Sequence, residues 1–203
     1  ININGSPFHS GKLQEREEML RTRAAENKCA IVYVNQVGGQ DELVFDGSSM
    51  VFDASGKLLA RAPQFTSGLS VVEIDLDKPV VAEVAPLSDR YEEMYGALVL
   101  GTRDYVRKNK FTDVVIGLSG GIDSSIVAAV AVEALGAEHV HGVAMPSRYS
   151  SDGSKTDAYA LAEALGIDCR TISIEPVFEA YLSMLAPSFE GKAADLTEEN
   201  LQS

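Results

Sequence analysis

The rhythm of apolar and polar positions changes midway along the chain. Through Ile74, short apolar runs alternate with turn residues, the mark of strands. Residues 1–3 read as the end of a strand. Gly5-Ser6-Pro7-Phe8-His9-Ser10-Gly11 reads as a loop. Lys12–Asn27 reads as a helix, with Leu13, Met19, Leu20 and Ala24 near one face. Residues 30–35 form a continuous apolar run suited to a buried strand, and residues 37–41 read as a turn. Residues 43–45, 49–52, Leu58–Arg61 and 69–74 read as short strands, with Asp53-Ala54-Ser55-Gly56 as a hairpin turn.

Residues 77–86 read as a linker. Residues 87–110 predict a long helix that opens at Ser88 as its N-cap and carries Tyr91, Met94, Leu98, Tyr105 and Val106. From there strands and helices alternate. Strand 113–118 leads to helix Ile122–Leu135, closed by Gly136. Strand 139–145 leads to helix 151–165, closed by Gly166. Strand 168–174 leads to helix 177–185. This order predicts a parallel, doubly wound sheet. Right-handed crossovers would put strand 113–118 near a topological switch point, where ligands bind. Residues 197–203 read as the first turn of a helix capped by Thr197.

Composition adds a globular character: 45% of the 203 residues are hydrophobic and 23% charged, enough apolar material for a core. The formal net charge of −13 argues against nucleic acid as a partner, since an acidic chain repels its backbone. A small phosphate ligand is still allowed, because clustered N–H groups bind phosphate on acidic proteins. No apolar run approaches the roughly 20 residues of a membrane span. Cys29 and Cys169 lie far apart and outside any C-x-x-C pair, so they are expected to be two buried thiols in a reducing cytoplasm. The opening Ile1-Asn2-Ile3-Asn4 begins like the inside of a strand, and the chain is expected to start within a larger protein.

The most informative stretch is Gly117-Leu118-Ser119-Gly120-Gly121-Ile122-Asp123-Ser124-Ser125, between an apolar strand and a helix. Gly120 and Gly121 let the backbone turn sharply and approach an anion. The free N–H groups and dipole of the helix start favour a phosphate there. Asp123 suits a phosphate site only with a cation between them, so it is assigned to Mg²⁺. Helix capping by Asp123 and the serines is the competing structural role. Walker A requires G-x-x-x-x-G-K-[ST] and the dinucleotide fingerprint G-x-G-x-x-G; neither is present.

Ser119-Gly120-Gly121-Ile122-Asp123-Ser124 resembles the signature of the N-type ATP pyrophosphatases. Met145-Pro146-Ser147-Arg148-Tyr149-Ser150-Ser151-Asp152-Gly153-Ser154, Ile174-Glu175-Pro176-Val177-Phe178 and Thr197-Glu198-Glu199-Asn200-Leu201-Gln202 resemble the bacterial glutamine-dependent NAD⁺ synthetases. Residues 1–75 resemble the C-terminal part of a nitrilase-type glutamine amidohydrolase. The resemblance implies an α/β fold. The C-terminal part of an α+β nitrilase-like sandwich comes first (1–78), then a linker (79–90). The start of a doubly wound, adenine nucleotide alpha hydrolase-like domain follows (91–203).

It implies an ATP site at Gly117, Leu118, Ser119, Gly120, Gly121, Ile122, Asp123 and Ser124, with Met145 lining the adenine pocket. It implies glutamine binding by Ser6 and Lys12, a deamido-NAD⁺ contact at Asn200, and Mg²⁺ on Asp123. The implied reaction is adenylation of deamido-NAD⁺ by ATP and displacement of AMP by ammonia from glutamine. The products are NAD⁺, AMP and pyrophosphate. The implied setting is a cytoplasmic homo-oligomer.

Seen alone, Ser6-Pro7 is an ordinary turn, Lys12 an ordinary helix start and Arg148 a solvated loop charge. The family places its Glu, Lys and Cys catalytic set upstream of residue 1, so no catalytic residue is assigned in this chain. Cys29 sits between a helix end and a strand and is rejected as nucleophile. His9 lacks a Cys or Ser partner. Two other readings stay open: another ATP-pyrophosphatase amidotransferase, and a non-catalytic ATP-binding fragment.

Overall fold

A computed structural model describes residues 1–74, 82–191, 193 and 196. The chain forms two compact units, Ile1–Lys110 and Phe111–Ser203.

In the first unit, β1 (Asn2–Asn4) crosses through α1 (Lys12–Asn27) to pair in parallel with β2 (Ile31–Asn35). The antiparallel strands β5 (Met50–Phe52) and β6 (Leu58–Arg61) complete a sheet of order β1-β2-β5-β6. Strand alternation gives that sheet two apolar faces. Tyr33, Met50 and Phe52 meet Leu13, Leu20 and Ala24 of α1 on one face. Val51, Leu59 and Ala60 meet Val32, Val72, Ile74 and Ala82 in a second cluster. The Asp53 carboxylate closes the β5–β6 turn by accepting from the N–H groups of Ser55 and Lys57.

Three expectations fail here. Residues 37–41 are not a turn: β3 (Val37–Gln40) pairs antiparallel with β4 (Leu43–Asp46), and only Asp41 and Glu42 turn. The glycines that look like turn residues are there because a helix lies against the strand. A Cβ on Gly39 would stand 3.1 Å from the Cα of Gly101, and the Gly39 N–H donates to Asp104 at 2.8 Å. Residues 69–74 form no strand, although Val72 and Ile74 still pack inward. The free edge of β6 is taken by residues 82–85 instead, through Ala82 N–H to Leu59 O, Arg61 N–H to Glu83 O and Ala85 N–H to Arg61 O. Finally, the long helix α2 (Arg90–Lys108) is capped by Asp89, not Ser88. Asp89 accepts from the N–H groups of Tyr91 and Glu92, and Glu92 accepts from the Asp89 N–H, a complete capping box.

Helix α2 packs on β3 and β4 within the first unit.

The second unit is built of β7 (Val114–Gly117), α3 (Ile122–Leu135), β8 (Val140–Ala144), α4 (Asp152–Leu165), β9 (Asp168–Thr171) and α5 (Glu175–Leu185). The three strands are parallel, in the order β7-β8-β9. Leu118, Val140 and Ile167 pack with Ala128 and Ala131 of α3 and Ala158 and Ala162 of α4. Both helices therefore cover one face of the sheet, as right-handed crossovers between strands added in one direction require. On the other face Val115 is 71% exposed. A switch point needs a strand on the free edge of β7, and none stands there among the described residues.

Candidate functional site

The Leu118 N–H bonds to the Val143 carbonyl at 2.8 Å, the last rung between β7 and β8. The chain then turns at Gly120, whose φ of 77° is left-handed. No side chain fits at that position, because a Cβ there would lie 2.3 Å from the Ser154 carbonyl oxygen. The turn thus rests on the first turn of α4. Gly121 is the N-cap of α3, and no side chain caps the helix. Helix geometry leaves its first N–H groups without intrahelical partners. Among the described residues no acceptor is recorded for the N–H groups of Gly120, Ile122, Asp123 and Ser124.

The serine hydroxyls hold the turn's shape. Ser119 Oγ accepts from the Gly121 N–H at 3.2 Å and lies 3.1 Å from Ser124 Oγ. The Ser124 and Ser125 hydroxyls donate to the Gly121 carbonyl. The turn is exposed or half-buried from Ser119 to Ser125. A cavity of about 270 Å³ adjoins it, lined by Leu118, Ser119, Met145, Tyr149, Ser151 and Lys155 among others. Met145 stands at the end of β8, as expected, with its Cε 3.0 Å from the place a Gly117 Cβ would occupy. Lys155 was not anticipated. It sits one residue beyond Ser154, which carries the carbonyl under Gly120, and that contact cannot be read from spacing.

Asp123 is exposed and makes no recorded hydrogen bond or ion pair among the described residues. No group of three or more His, Cys, Asp or Glu side chains gathers to hold a metal among them. A protein-only metal cage is therefore absent there. A free hard oxygen beside open N–H groups does fit Mg²⁺, which takes one or two carboxylates and completes its shell with phosphate oxygens and water.

Arg148 is solvent-exposed, as a loop charge would be, and also serves as a latch. Its Nε donates to Glu175 Oε1 at 2.5 Å, its backbone N–H to Glu175 Oε2 at 2.9 Å, and Nη2 to Glu179 at 3.1 Å. The guanidinium lies 5.3 Å from the Phe178 ring, and Tyr149 meets the same ring edge-on. These bonds hold the Glu175 carboxyl below the usual carboxylate range and tie the loop after β8 to α5. On the open face of the sheet, His141 lies 2.5 Å from Asp168 and 3.3 Å from Asp113. The hydrogen bond to Asp168, then that to Asp113, pushes the imidazole pKa up.

In the first unit, Ser6 is fixed from three sides. Its N–H donates to Asn35 Oδ1 at 2.8 Å, its carbonyl accepts from Asn35 Nδ2, and its hydroxyl accepts from Arg16 at 3.4 Å. Arg16 also donates to both oxygens of Asp46, at 2.9 and 3.2 Å, with side chains only 2% and 0% exposed. Lys12 opens α1 and is half-buried, 3.4 Å from Glu15. His9 is exposed, and its ring lies near Ser10 O and Glu15. The expectation of two buried thiols is wrong: Cys29 is exposed, because α1 has already ended and β2 begins only at Ile31, and Cys169 is half-buried. Asn200, Thr197 and the rest of that motif lie outside the described residues. No helix among those residues is long and apolar enough to cross a membrane.

Comparison with known proteins matches residues 94–203 to the NAD synthase family and residues 1–80 to the carbon-nitrogen hydrolase family. The chain is 45% identical to a glutamine-dependent NAD(+) synthetase of Thermotoga maritima, over 99% of the chain and 41% of the relative. It is also 45% identical to the Synechocystis protein of the same name, over 100% of the chain and 37% of the relative. A solved glutamine-dependent NAD⁺ synthetase from Acinetobacter baumannii, in complex with ADP, matches with a TM-score of 0.93 and 42% identity. That match covers 100% of this chain and 40% of the solved one. The chain thus spans about two-fifths of the length of these relatives. It carries a carbon-nitrogen hydrolase segment followed by the start of an adenine nucleotide alpha hydrolase-like domain on a parallel sheet. With over half of its length matched by that one model, the chain belongs to the NAD synthase family.

Proposed function

We propose that the chain serves glutamine-dependent NAD⁺ synthesis and supplies two parts of its machinery. The second unit grips the polyphosphate of ATP while deamido-NAD⁺ is adenylated. The first holds part of the glutamine site. Residues 1–78 act as the end of the amidohydrolase domain and 91–203 as the start of the synthetase domain, joined by 79–90. The observation that carries this reading is the row of open N–H groups at Gly120, Ile122, Asp123 and Ser124, beside a cavity that Lys155 also lines.

The chemistry follows from charge. Negative charge builds on the departing pyrophosphate as ATP transfers its adenylyl group. Fixed N–H dipoles aimed at that position stabilise it without reorganising, the largest single term in such catalysis. The Gly120–Ser154 contact holds the dipoles in place. Lys155 adds a cation, and the Ser119 and Ser124 hydroxyls can exchange their contacts within the turn for phosphate oxygens. Asp123 would hold Mg²⁺, which supplies further charge neutralisation at the phosphates. Gly117 and Leu118 end the strand under the nucleotide, and Met145 offers an apolar wall to the adenine ring. In the first unit, Ser6 and Lys12 would bind the glutamine α-carboxylate by a hydroxyl and an ammonium. Asn200 would contact deamido-NAD⁺.

The test is calorimetry with Mg-ATP on the wild-type chain and on Asp123→Ala, alongside NAD⁺ formation by the full-length enzyme from deamido-NAD⁺ or other carboxylates. Weaker binding in Asp123→Ala and turnover only with deamido-NAD⁺ are expected. Equal binding would remove the metal–phosphate role, and turnover of another acceptor would reassign the substrate.

A further inference from the structure

Helix α1 begins without a cap of its own. Gly11 is its N-cap residue, with φ 84° and no side chain to satisfy the helix's free N–H groups. The Gly11 N–H instead donates to Glu93 Oε2 at 3.2 Å, across 82 residues of chain. The other carboxyl oxygen, Glu93 Oε1, accepts from the Gln64 side chain at 3.2 Å. Glu93 is on the first turn of α2 and only 4% exposed. Among the described residues no cation pairs with it.

A carboxyl group in that setting is costly, and an apolar residue of similar size serves stability as well. Its neighbours indicate what the polar contact does. Gly11 immediately precedes Lys12 and closes the loop that carries Ser6. The far side of that loop is already fixed, by the Phe8 N–H to Val44 O at 2.7 Å and by Phe8 edge-on to Phe65 at 5.5 Å. Phe65 in turn lies under α2, so closely that a Cβ on Gly96 would stand 2.7 Å from its ring. Ser6 is locked by Asn35 and Arg16. The helix start at Gly11 and Lys12 is the end of the loop that needs an outside anchor, and Glu93 is that anchor.

We propose that Glu93 is a positioning residue for glutamine capture: through Gly11 it fixes the start of α1, and so the direction in which Lys12 presents its ammonium. The proposal rests on the reading of Ser6 and Lys12 as glutamine contacts.

The test is steady-state kinetics of the full-length enzyme with glutamine or ammonium chloride as nitrogen donor. Glu93→Met keeps the side-chain length and removes both acceptors. It should raise the KM for glutamine about tenfold, the factor carried by one hydrogen bond to a charged group. With ammonium, which bypasses the loop, its kinetics should match wild type. Glu93→Gln can still accept from Gly11 while the Gln64 amide flips, and should restore the KM to within about twofold, well short of one lost hydrogen bond. An unchanged glutamine KM in Glu93→Met, or equal losses with both donors, overturns the proposal. Should Glu93→Met not fold, Glu93→Asp keeps the carboxyl but draws it back by one methylene from the Gly11 N–H. A raised glutamine KM there supports the proposal and an unchanged one overturns it. Lys12→Ala separates the two levels. If Lys12→Ala raises the glutamine KM and Glu93→Met does not, only the positioning role fails. If Lys12→Ala has no effect, the glutamine reading fails and takes this inference with it.

Discussion

Replacing Gly120 with alanine would put a methyl carbon 2.3 Å from the Ser154 carbonyl oxygen and 2.9 Å from both its carbonyl carbon and Cα. All three are backbone atoms in the first turn of α4, so no rotamer change relieves the clash. The residue also sits at φ 77°, where an L side chain costs about 1–2 kcal/mol before any contact is counted. Restoring ordinary contact moves the turn or the helix by on the order of 1 Å. A displacement of that size in groups that position a reacting phosphate costs about 100-fold in rate. The assay is NAD⁺ formation by the full-length enzyme with ammonium as nitrogen donor and ATP varied, with the thermal midpoint measured in parallel. We expect Gly120→Ala to lower kcat/KM for ATP about 100-fold. Its midpoint should fall by only about 2–8 °C. Gly153→Ala is the control, since a Cβ there has nothing nearer than 3.8 Å, and its kinetics should be unaltered. Wild-type ATP kinetics in Gly120→Ala would refute the reasoning, because the turn would then tolerate displacement from α4 without consequence.

Asp46→Ala leaves Arg16 as an uncompensated buried charge and should cost about 3–5 kcal/mol in urea unfolding, far more than a surface pair. Asp89→Ala removes the α2 capping box and should cost about 1 kcal/mol, read in the same assay. The His141 pKa is raised above its ordinary 6.5 by Asp168 and Asp113. Its contribution to stability is therefore fully present below the unfolded pKa and lost as pH rises through the folded one. Stability measured upward from about pH 6.5 should fall more in wild type than in His141→Gln, and NMR titration should place the imidazole pKa above that of a free histidine. Arg148→Ala unties the loop after β8 from α5 and should raise the KM for ATP without changing that for ammonium.

Much of this architecture is legible in the amino-acid pattern, where local signals decide it. The limits of α1, β6 and α3 follow from helical spacing, an Asp-to-Gly hairpin turn and closing glycines. The tight turn at Gly120 is legible because its glycines, hydroxyls and strand–helix setting all lie within nine residues. What escapes the pattern is decided by distant chain. Gly38 and Gly39 look like turn residues until α2 is laid across them. Residues 69–74 have a strand's alternation, but the β6 edge is occupied by 82–85. Arg16 and Arg61 are buried against carboxylates that lie 30 and 44 residues away, partners that no local pattern names. Arg148 reads as a loop charge because Glu175 and Glu179 approach it only once β9 and α5 are in place. Among the site residues, Lys155 and Glu93 were missed for the same reason: each acquires its meaning from a contact that no motif spacing encodes.

The most direct test of the central claim is an amide-resolved NMR titration of the chain with Mg-ATP. The account predicts that the N–H signals of Gly120, Ile122, Asp123 and Ser124 move first and furthest, with those of Ser119 and Gly121 following as their serine contacts are exchanged for phosphate. Saturable shifts confined to other surfaces, with these four amides unmoved, would contradict it.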